Sequence, residues 1–427
     1  MPSFSHGLYN LLVWAAQPLL HRKLARRAVA EPGYGVAVPE RFGHYSQPAS
    51  TARELVWVHA VSLGEARAAA IVLQALREAM PGVRFLLTHG TATGRAEGAK
   101  LLQPGDVQVW QPWDTPAAVQ AFLRHFRPRL GLLMETEVWP NLVLHSAQAG
   151  VPLALVNARL SEKSQRSALR WASLMRPTYA ALTAVWAQTE ADAQRLRALG
   201  APVRAVTGNL KFDARPDAAQ MAQGRAWRAG LQRPVCLLAS SREGEEALWL
   251  AAMARQPQPW SGVHWLIVPR HPQRVAEVQA LLQAQGLSVS RRSTWRDAPP
   301  QHDGVQVWLG DSLGEMALYY SLADVALLGG SFAPLGGQNL IEAAACACPL
   351  IMGPHTFNFL EAAEKAEAAA AATRVADMDA AVAAALQQVA DPQGREAAVA
   401  AALAFSQAHQ GAARRVAGLV RDLCLQV

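Results

Sequence analysis

The chain has 427 residues, enough for two α/β domains, and 51% of its residues are hydrophobic while 17% are charged. The formal net charge of +7 indicates an anionic partner, such as a membrane surface or a phosphorylated substrate. No basic run interleaved with aromatic residues is present, which disfavours nucleic acid, and the four cysteines lack zinc or disulfide-framework spacing, as is typical of a reducing compartment.

The chain begins with an apolar segment and a basic cluster. Residues 8–20 (LYNLLVWAAQPLL) are apolar, and they precede His21, Arg22, Lys23, Arg26 and Arg27. The segment is short for a bilayer span of about 20 residues, and no basic n-region of a secretory signal precedes it. We predict that residues 1–27 associate with the cytoplasmic face of a membrane, the alternative being a core helix with a solvated basic end.

The first half then alternates short apolar strands with amphipathic helices. Helices are predicted at 66–80 and 93–102, with a further helix beginning near Pro140. Strands are predicted at 55–61, 84–88, 130–134, 152–157 and 184–188. This alternation is typical of a doubly wound parallel sheet with helices on both faces.

The second half repeats the pattern after a polar stretch. Residues 214–232 are interpreted as an interdomain linker, between a first domain at 28–213 and a second at 233–427. Strands are predicted at 235–239, 265–268, 305–309, 325–328 and 350–352. Residues 288–303 are predicted as an exposed loop and 362–427 as largely Ala-rich helix.

The segment 329–342 (GGSFAPLGGQNLIE) gives the strongest indication of a ligand site. Two glycine pairs follow an apolar strand, and a helix opens at Asn339. Glycines permit close approach of the backbone to a ligand, and a helix N-terminus attracts anions. Glu342 can accept hydrogen bonds from ribose hydroxyls, although Asn339 and Glu342 also fit a capping box. The pattern predicts a nucleotide-phosphate site.

A four-residue repeat supports two similar halves. The sequence Ser-Leu-Gly-Glu occurs at 62–65 and again at 312–315, in each case after a strand and before a helix. Both copies also satisfy a capping-box pattern, so chance is the alternative. Two Rossmann-like domains facing a cleft form the GT-B arrangement of glycosyltransferases, with the nucleotide in the second domain and the acceptor in the first.

The first domain contains the candidate catalytic groups. Glu65 follows the first strand, where a carboxylate can act as general base, and its alternative role is to cap its own helix. Glu135 and Glu137 follow a buried strand. Lys211 can meet developing negative charge, and the alternative for it is an exposed surface lysine.

The second domain contains candidate anion ligands. Arg270 follows a strand within Val-Pro-Arg-His-Pro and can hold a phosphate with two hydrogen bonds. Residues 240–246 (SSREGEE) also follow a strand and suit an anion. His271 has no spaced second histidine or carboxylate, so no metal site is predicted.

Together these motifs resemble those of the 3-deoxy-D-manno-octulosonic acid (Kdo) transferases. Members of this GT-B family move Kdo from CMP-Kdo to the lipid A precursor in lipopolysaccharide synthesis. The resemblance extends nearly from end to end and covers residues 40–43, 59–65, 135–141, 157–161, 208–213, 243–246, 269–272, 310–315, 329–342 and 353–359.

The resemblance implies a role for each matched residue. Glu65 is the general base, and Glu135 with Lys211 steadies the transition state. The CMP-binding residues are Pro269, Arg270, Leu313, Gly314, Glu315, Asn339, Leu340, Ile341 and Glu342. It further implies inverting transfer without cofactor or metal, on the cytoplasmic side of the inner membrane of a Gram-negative bacterium.

Two other functions remain open at this stage. One is a GT-B transferase that uses another nucleotide sugar on a membrane lipid, and the other is a catalytically silent nucleotide-binding membrane scaffold. The intact Glu65, Glu135 and Lys211 argue against the scaffold. A dinucleotide oxidoreductase is disfavoured, because no early strand leads into G-x-G-x-x-G.

Overall fold

The computed structural model describes residues 4–50, 55–256, 262–301 and 306–426. The chain forms two compact units: the first contains Met1–Asp213 and Gln410–Val427, and the second contains Ala214–His409. Each unit holds a seven-stranded parallel sheet with helices packed on it. The predicted fold class of two doubly wound α/β units is confirmed, and the facing arrangement of the units stays a prediction.

The sheet of the first unit has the strand order β3-β2-β1-β4-β5-β6-β7. Its strands are β1 (Leu55–His59), β2 (Arg84–His89), β3 (Val107–Trp110), β4 (Leu130–Met134), β5 (Leu153–Ala158), β6 (Ala184–Ala187) and β7 (Val203–Val206). Both faces are covered: in β1, Val56 and Val58 belong to one buried cluster, and Leu55 and Trp57 belong to the other. Burial on both faces explains the continuous apolar runs in the sequence.

The helices of the first unit lie mainly between its strands. They are α1 (Phe4–Ala30), α2 (Leu63–Ala79), α3 (Ala92–Ala99), α4 (Pro116–Phe126), α5 (Pro140–Gln148), α6 (Glu162–Arg170), α7 (Ala172–Ala180), α8 (Glu190–Ala198) and, from the end of the chain, α17 (Ala412–Leu425). The last of these packs against α2 over the first sheet.

The sheet of the second unit has the strand order β10-β11-β9-β8-β12-β13-β14. Its strands are β8 (Val235–Ser241), β9 (His264–Pro269), β10 (Val289–Arg291), β11 (Val307–Leu309), β12 (Val325–Leu328), β13 (Leu350–Met352) and β14 (Ala372–Arg374). Its helices are α9 (Ala218–Ala229), α10 (Glu245–Ala254), α11 (Val275–Ala284), α12 (Met316–Leu322), α13 (Leu340–Ala345), α14 (Leu360–Ala368), α15 (Met378–Ala390) and α16 (Pro392–Ala408).

Strand order reverses near the middle of each sheet. In the first unit the reversal lies between the neighbours β1 and β4, and in the second it lies between β8 and β12. Loops that leave the carboxyl ends of such neighbours diverge to opposite faces and open a crevice, which is where doubly wound sheets bind ligands. The motifs that contain Glu65, Glu135, residues 240–246 and residues 329–342 all follow these four strands.

The structure differs from the predicted boundaries in three places. The stretch predicted as a linker, 214–232, contains α9, which packs on α12 in the second unit, and residues 410–427 return to the first unit. Residues 288–303, predicted as an exposed loop, contain β10 and the buried Trp295, while 302–305 lie outside the described residues. The close approach of α9 to α12 is possible because Gly224 has no side chain: a Cβ there would lie 2.5 Å from Leu318 O.

The N-terminal helix α1 is longer than the apolar segment that predicted it. It runs through the basic cluster to Ala30. Within the described ranges, no helix combines the length and apolar character that crossing a bilayer requires. The association of this helix with a membrane stays a prediction.

Candidate active site

Glu65 lies in the first turn of α2, just beyond the end of β1. Its carboxylate accepts hydrogen bonds from the Val61 N–H (2.8 Å) and the Ser62 hydroxyl (2.9 Å), and its own N–H donates to Ser62 Oγ (3.3 Å). This reciprocal pair is a capping box, the alternative raised by the sequence. Capping is compatible with catalysis, because it fixes the carboxylate beside the strand reversal.

The pKa of the Glu65 carboxyl is raised. Burial is the largest cause, and the negative charge of Glu137 adds to it, while hydrogen bonds from Val61 and Ser62 act in the opposite direction. A carboxylate whose pKa is raised binds a proton more strongly, which makes it a better general base.

Glu135 directly follows β4 and turns sharply out of the sheet. Its φ is +54°, in the left-handed region, and its N–H still donates to Val156 O at 2.9 Å. The carboxylate is 4% exposed and accepts a hydrogen bond from Arg159 Nε at 2.8 Å. Left-handed backbone costs a non-glycine residue about 1–2 kcal/mol, and such strain concentrates at functional sites.

Lys211 lies in a 3₁₀ turn, Leu210–Asp213, that is held at both ends. The first N–H of the turn donates to Asn157 Oδ1 (3.1 Å), and Asp213 accepts two N–H groups at the start of α17 (2.5 Å each). The turn is therefore a rigid support for the lysine. The predicted pairing of Lys211 with Glu135 stays a prediction, because the ion pair observed for Glu135 is with a guanidinium.

His59 is a buried residue beside the site that the sequence did not single out. Its Nδ1 lies 2.8 Å from Thr88 Oγ1, which also accepts the Trp57 indole N–H at 2.8 Å. Its Nε2 lies 3.7 Å from Glu137 Oε2, and Trp139 Nε1 donates to the same oxygen at 2.7 Å. The sequence feature that could have identified it is a histidine at the end of an otherwise apolar strand.

Glu137 is held in its charged form by these neighbours. Burial opposes ionisation, yet the nearby His59 ring and the hydrogen bond from Trp139 keep the pKa of Glu137 below its usual value. The charge on Glu137 is one cause of the raised pKa of Glu65. The first unit thus places a persistent negative charge near its candidate base.

In the second unit, the glycine-rich loop after β12 wraps around an internal carboxylate. Glu245 Oε2 accepts the N–H of Gly330 (2.6 Å), and its Oε1 accepts that of Phe332 (3.0 Å). Gly329 is required by packing, since a Cβ there would lie 2.3 Å from Ser240 O. Glu245 thus occupies the amides of Gly330 and Phe332, and the prediction that the start of the following helix binds a phosphate stays a prediction.

The segment 240–246 contains a second internal carboxylate, that of Glu246. Ser241 Oγ donates to Glu246 Oε1 at 2.7 Å. Glu246 in turn receives two hydrogen bonds from the buried Arg274, at 2.8 and 3.0 Å. A buried pair of this kind fixes loop geometry, so the Ser241 hydroxyl, predicted to suit a ligand anion, instead serves the fold.

Arg270 remains at the surface at the end of β9. Its N–H donates to Ser241 O (2.9 Å), and its Nε donates to Gln338 Oε1 (3.0 Å). The structure therefore brings two predicted donor-binding segments together, the one containing Pro269 and Arg270 and the one beginning at Asn339.

The start of α13 matches the sequence prediction. Asn339 is the N-cap, and its Oδ1 accepts the N–H of Ile341 at 3.2 Å. The side chains of Leu340 and Ile341 are buried, whereas Glu342 is half-buried.

Leu313, Gly314 and Glu315 form an exposed turn before α12. Leu313 is 80% exposed, and Gly314 has a φ of +83°, which only glycine adopts readily. Glu315 pairs with Arg292 at 3.0 Å and accepts a hydrogen bond from Ser312. Arg292 comes from the segment predicted as an exposed loop, so the sequence analysis did not identify it.

Comparison with known proteins gives a consistent result. Residues 37–214 match the family model described as 3-Deoxy-D-manno-octulosonic-acid transferase (kdotransferase). The 3-deoxy-D-manno-octulosonic acid transferase of Bordetella pertussis is 47% identical over 97% of this chain and 99% of that protein. The enzyme of the same name from Haemophilus influenzae is 30% identical over 83% of both chains.

Solved structures match the fold. The C-terminal CMP-Kdo binding domain of WaaA from Acinetobacter baumannii is 31% identical and covers 45% of this chain and 100% of that domain, with a TM-score of 0.42. A UDP-GlcNAc 2-epimerase from Neisseria meningitidis, 16% identical, covers 87% of this chain and 100% of its own, with a TM-score of 0.57. Because it is 47% identical to the Bordetella enzyme over 97% of its length, this chain belongs to the 3-deoxy-D-manno-octulosonic acid (Kdo) transferase family of glycosyltransferases.

Proposed function

We propose that this chain transfers Kdo from CMP-Kdo to the lipid A precursor of lipopolysaccharide with inversion at the transferred centre. The observation that carries the proposal is Glu65, a half-buried carboxylate with a raised pKa beside the strand reversal of the first sheet, in a chain of the Kdo transferase family. The acceptor disaccharide is phosphorylated, and the net charge of +7 suits an anionic acceptor.

The reaction needs one proton acceptor and stabilisation of one leaving phosphate. Glu65 takes the proton of the acceptor hydroxyl as its oxygen attacks the anomeric carbon, and the bond from that carbon to the CMP phosphate oxygen breaks with both electrons passing to CMP. Arg270 meets the charge on CMP, and Glu135 and Lys211 act on the charge that develops at the sugar. No cofactor or metal is assigned a step.

A direct test is transfer from CMP-Kdo generated in situ to a tetraacylated lipid A precursor, with the lipid products resolved by mass. A gain of one or more Kdo masses is expected from the wild-type chain and none from Glu65→Gln. A gain of another sugar from a mixture of nucleotide sugars would favour the alternative transferase. Binding of CMP with no product from any of these donors would favour the silent scaffold.

We further propose that α1 associates with the cytoplasmic face of the inner membrane. Its outward side chains include several large apolar groups, Phe4, Leu8, Leu11, Leu12, Trp14 and Leu19. They precede the basic cluster Arg22, Lys23, Arg26 and Arg27. Apolar insertion combined with attraction to anionic headgroups is how interfacial helices bind.

Vesicle flotation tests the membrane proposal. The wild-type chain is expected to float with vesicles containing phosphatidylglycerol and to lose most of that binding as Leu11→Glu. Leu403→Glu is the matched control, because Leu403 is also an exposed leucine on a helix but belongs to the second unit. Equal flotation of the two variants would move the membrane contact away from α1.

A further inference from the structure

Near its N-terminus, α1 directs polar side chains toward the protein and apolar side chains outward. His6 is buried at 7% exposure, whereas Leu11 and Trp14 are 59% and 68% exposed. His6 and Asn10 are four residues apart and Tyr9 is three from His6, so the three lie on one face of the helix. A helix that only anchored the chain would have no need to bury polar side chains, which costs free energy unless each is hydrogen-bonded.

Each of these polar side chains has a partner at one place in the first unit. Tyr9 donates to Asp114 Oδ2 (2.7 Å), and Asn141 Nδ2 donates to Asn10 Oδ1 (2.8 Å). His6 Nε2 lies 2.7 Å from Asn141 Oδ1. Both hydrogens of Asn141 Nδ2 are used, the second by the main-chain oxygen of Asp114 (2.6 Å), so its oxygen faces the ring and His6 Nε2 is the donor.

Asp114 connects this network to the start of α5. Its carboxylate accepts the N–H of Asn141 (3.0 Å) and the N–H of Leu142 (2.7 Å), which are first-turn groups of α5. The N-cap residue of α5, Trp139, makes no side-chain cap of its own. Asp114, from a different part of the chain, therefore supplies the cap that α5 lacks.

The segment that α5 anchors contains the carboxylates of the site. Residues 135–139 connect β4 to α5 and contain Glu135 and Glu137. Contacts from β1 and β5 hold the two carboxylates on one side. On the other side, the path of the segment depends on where α5 begins, and Asp114 and the side chains of α1 hold that point.

We infer that Tyr9, His6 and Asn10 are positioning residues for the transfer reaction. They act through Asp114 and Asn141, which hold the start of α5 and with it the segment that contains Glu135 and Glu137. The helix that we propose contacts the membrane therefore also supports the segment 135–139, which contains the candidate catalytic carboxylates. The functional part of this inference rests on the proposed Kdo transfer, whereas the structural coupling does not.

A double-mutant cycle on kcat tests the functional part in detergent micelles, where membrane binding does not limit the rate. Tyr9→Phe removes one hydrogen bond to a charged group and is expected to lower kcat roughly tenfold, with the KM for CMP-Kdo unchanged. Asp114→Asn combined with Tyr9→Phe is expected to be no slower than Asp114→Asn alone, because Tyr9 acts through Asp114.

Ser5→Ala is the matched control. It removes a single hydrogen bond of the same helix, from Ser5 Oγ to Ser173 Oγ at 2.7 Å, that leads to α7 instead of α5. Its kcat is expected to equal that of the wild type. An equal loss in Ser5→Ala and Tyr9→Phe would reduce α1 to general support of the fold, and a wild-type kcat in Tyr9→Phe would overturn the inference.

Amide hydrogen exchange measures the coupling without reference to activity. Tyr9→Phe is expected to speed exchange at the N–H groups of Asn141 and Leu142 roughly tenfold, and Ser5→Ala is expected to leave them unchanged. Unchanged exchange in Tyr9→Phe would overturn the coupling itself. If the wild-type chain transfers no Kdo, the proposed function fails, while the exchange data still decide whether α1 positions α5.

Discussion

The same four residues, Ser-Leu-Gly-Glu, form two different structures in the two units. At 62–65 they begin α2, and Ser62 and Glu65 cap each other. At 312–315 they form a turn before α12, in which Gly314 has a φ of +83° and Glu315 is the N-cap. The same local sequence therefore adopts two conformations, and the neighbours of the two glutamates differ as well.

The difference lies in the charge of those neighbours. The hydrogen-bond partners of Glu65 are neutral, the Val61 amide and the Ser62 hydroxyl, and the nearby charge that affects it most is negative. Glu315 instead pairs with the Arg292 guanidinium. A carboxylate without a cationic partner is poised to take a proton, whereas a paired one is suited to hold a ligand in place.

The largest effect is expected from the first copy of the motif. Glu65→Gln keeps the size and a hydrogen-bond acceptor for the cap but cannot take a proton. We expect kcat for Kdo transfer to fall by about 10²–10⁴-fold with CMP affinity retained, measured by steady-state kinetics and calorimetry. Near-normal turnover would assign the base elsewhere, and a loss of CMP binding would mean that the variant has misfolded.

The next largest effect is expected at Arg270, which lies in the second unit and is proposed to bind CMP. Loss of a charge-assisted contact to the CMP phosphate in Arg270→Ala is expected to weaken CMP affinity roughly 10- to 100-fold. Arg255→Ala is the control, because Arg255 forms an exposed ion pair with Asp379 in the same unit. Equal CMP affinity in the two variants would remove Arg270 from the phosphate site.

The fold was predictable where strands are buried on both faces. The apolar runs at 130–134, 325–328 and 350–352 give β4, β12 and β13 with the bounds observed. The strands β3, β7, β10 and β14 were not predicted. They are short and lie at or next to the sheet edges, and β7 alternates exposed with half-buried residues, so no continuous apolar run marks them.

The site was predictable only at the level of which strand ends contain functional side chains. Parallel strands bring their carboxyl ends to one edge, so Glu65 and Glu135 were predictable from position alone. The partners were not, because they come from distant sequence: Glu245 meets Gly330 from 85 residues away, and His59 meets a carboxylate in another loop. Nothing local distinguishes a glutamate that shapes a loop from one that meets a ligand.

Glu315→Gln tests the second copy of the motif with a smaller expected effect. The amide loses the ion pair with Arg292, and the turn that contains Leu313 and Gly314 becomes less fixed. We expect the KM for CMP-Kdo to rise several-fold, because a half-buried ion pair contributes about 1 kcal/mol. The kcat at saturating substrate is expected to be retained. A fall in kcat comparable to that of Glu65→Gln would contradict the proposal that Glu65 takes part in proton transfer whereas Glu315 takes part in binding.

The most delicate test of the comparison uses pH. Glu65 must be ionised to accept a proton, so kcat falls as pH drops through the pKa of Glu65. Burial raises that pKa first, and the charge of Glu137 raises it further. In Glu137→Gln the burial remains and the charge is gone, while Trp139 Nε1 still finds an oxygen acceptor.

The acid limb of the profile of kcat against pH is therefore expected to move to lower pH in Glu137→Gln. The matched variant Glu277→Gln removes a carboxylate that pairs with Arg274 in the second unit, and its limb is expected to stay in place. A limb that moves in neither variant would mean that the titrating base is not Glu65, because only a group near Glu137 responds to the loss of its charge. A limb that moves to higher pH would contradict the sign of the interaction, because the loss of a nearby negative charge lowers the pKa of a carboxyl.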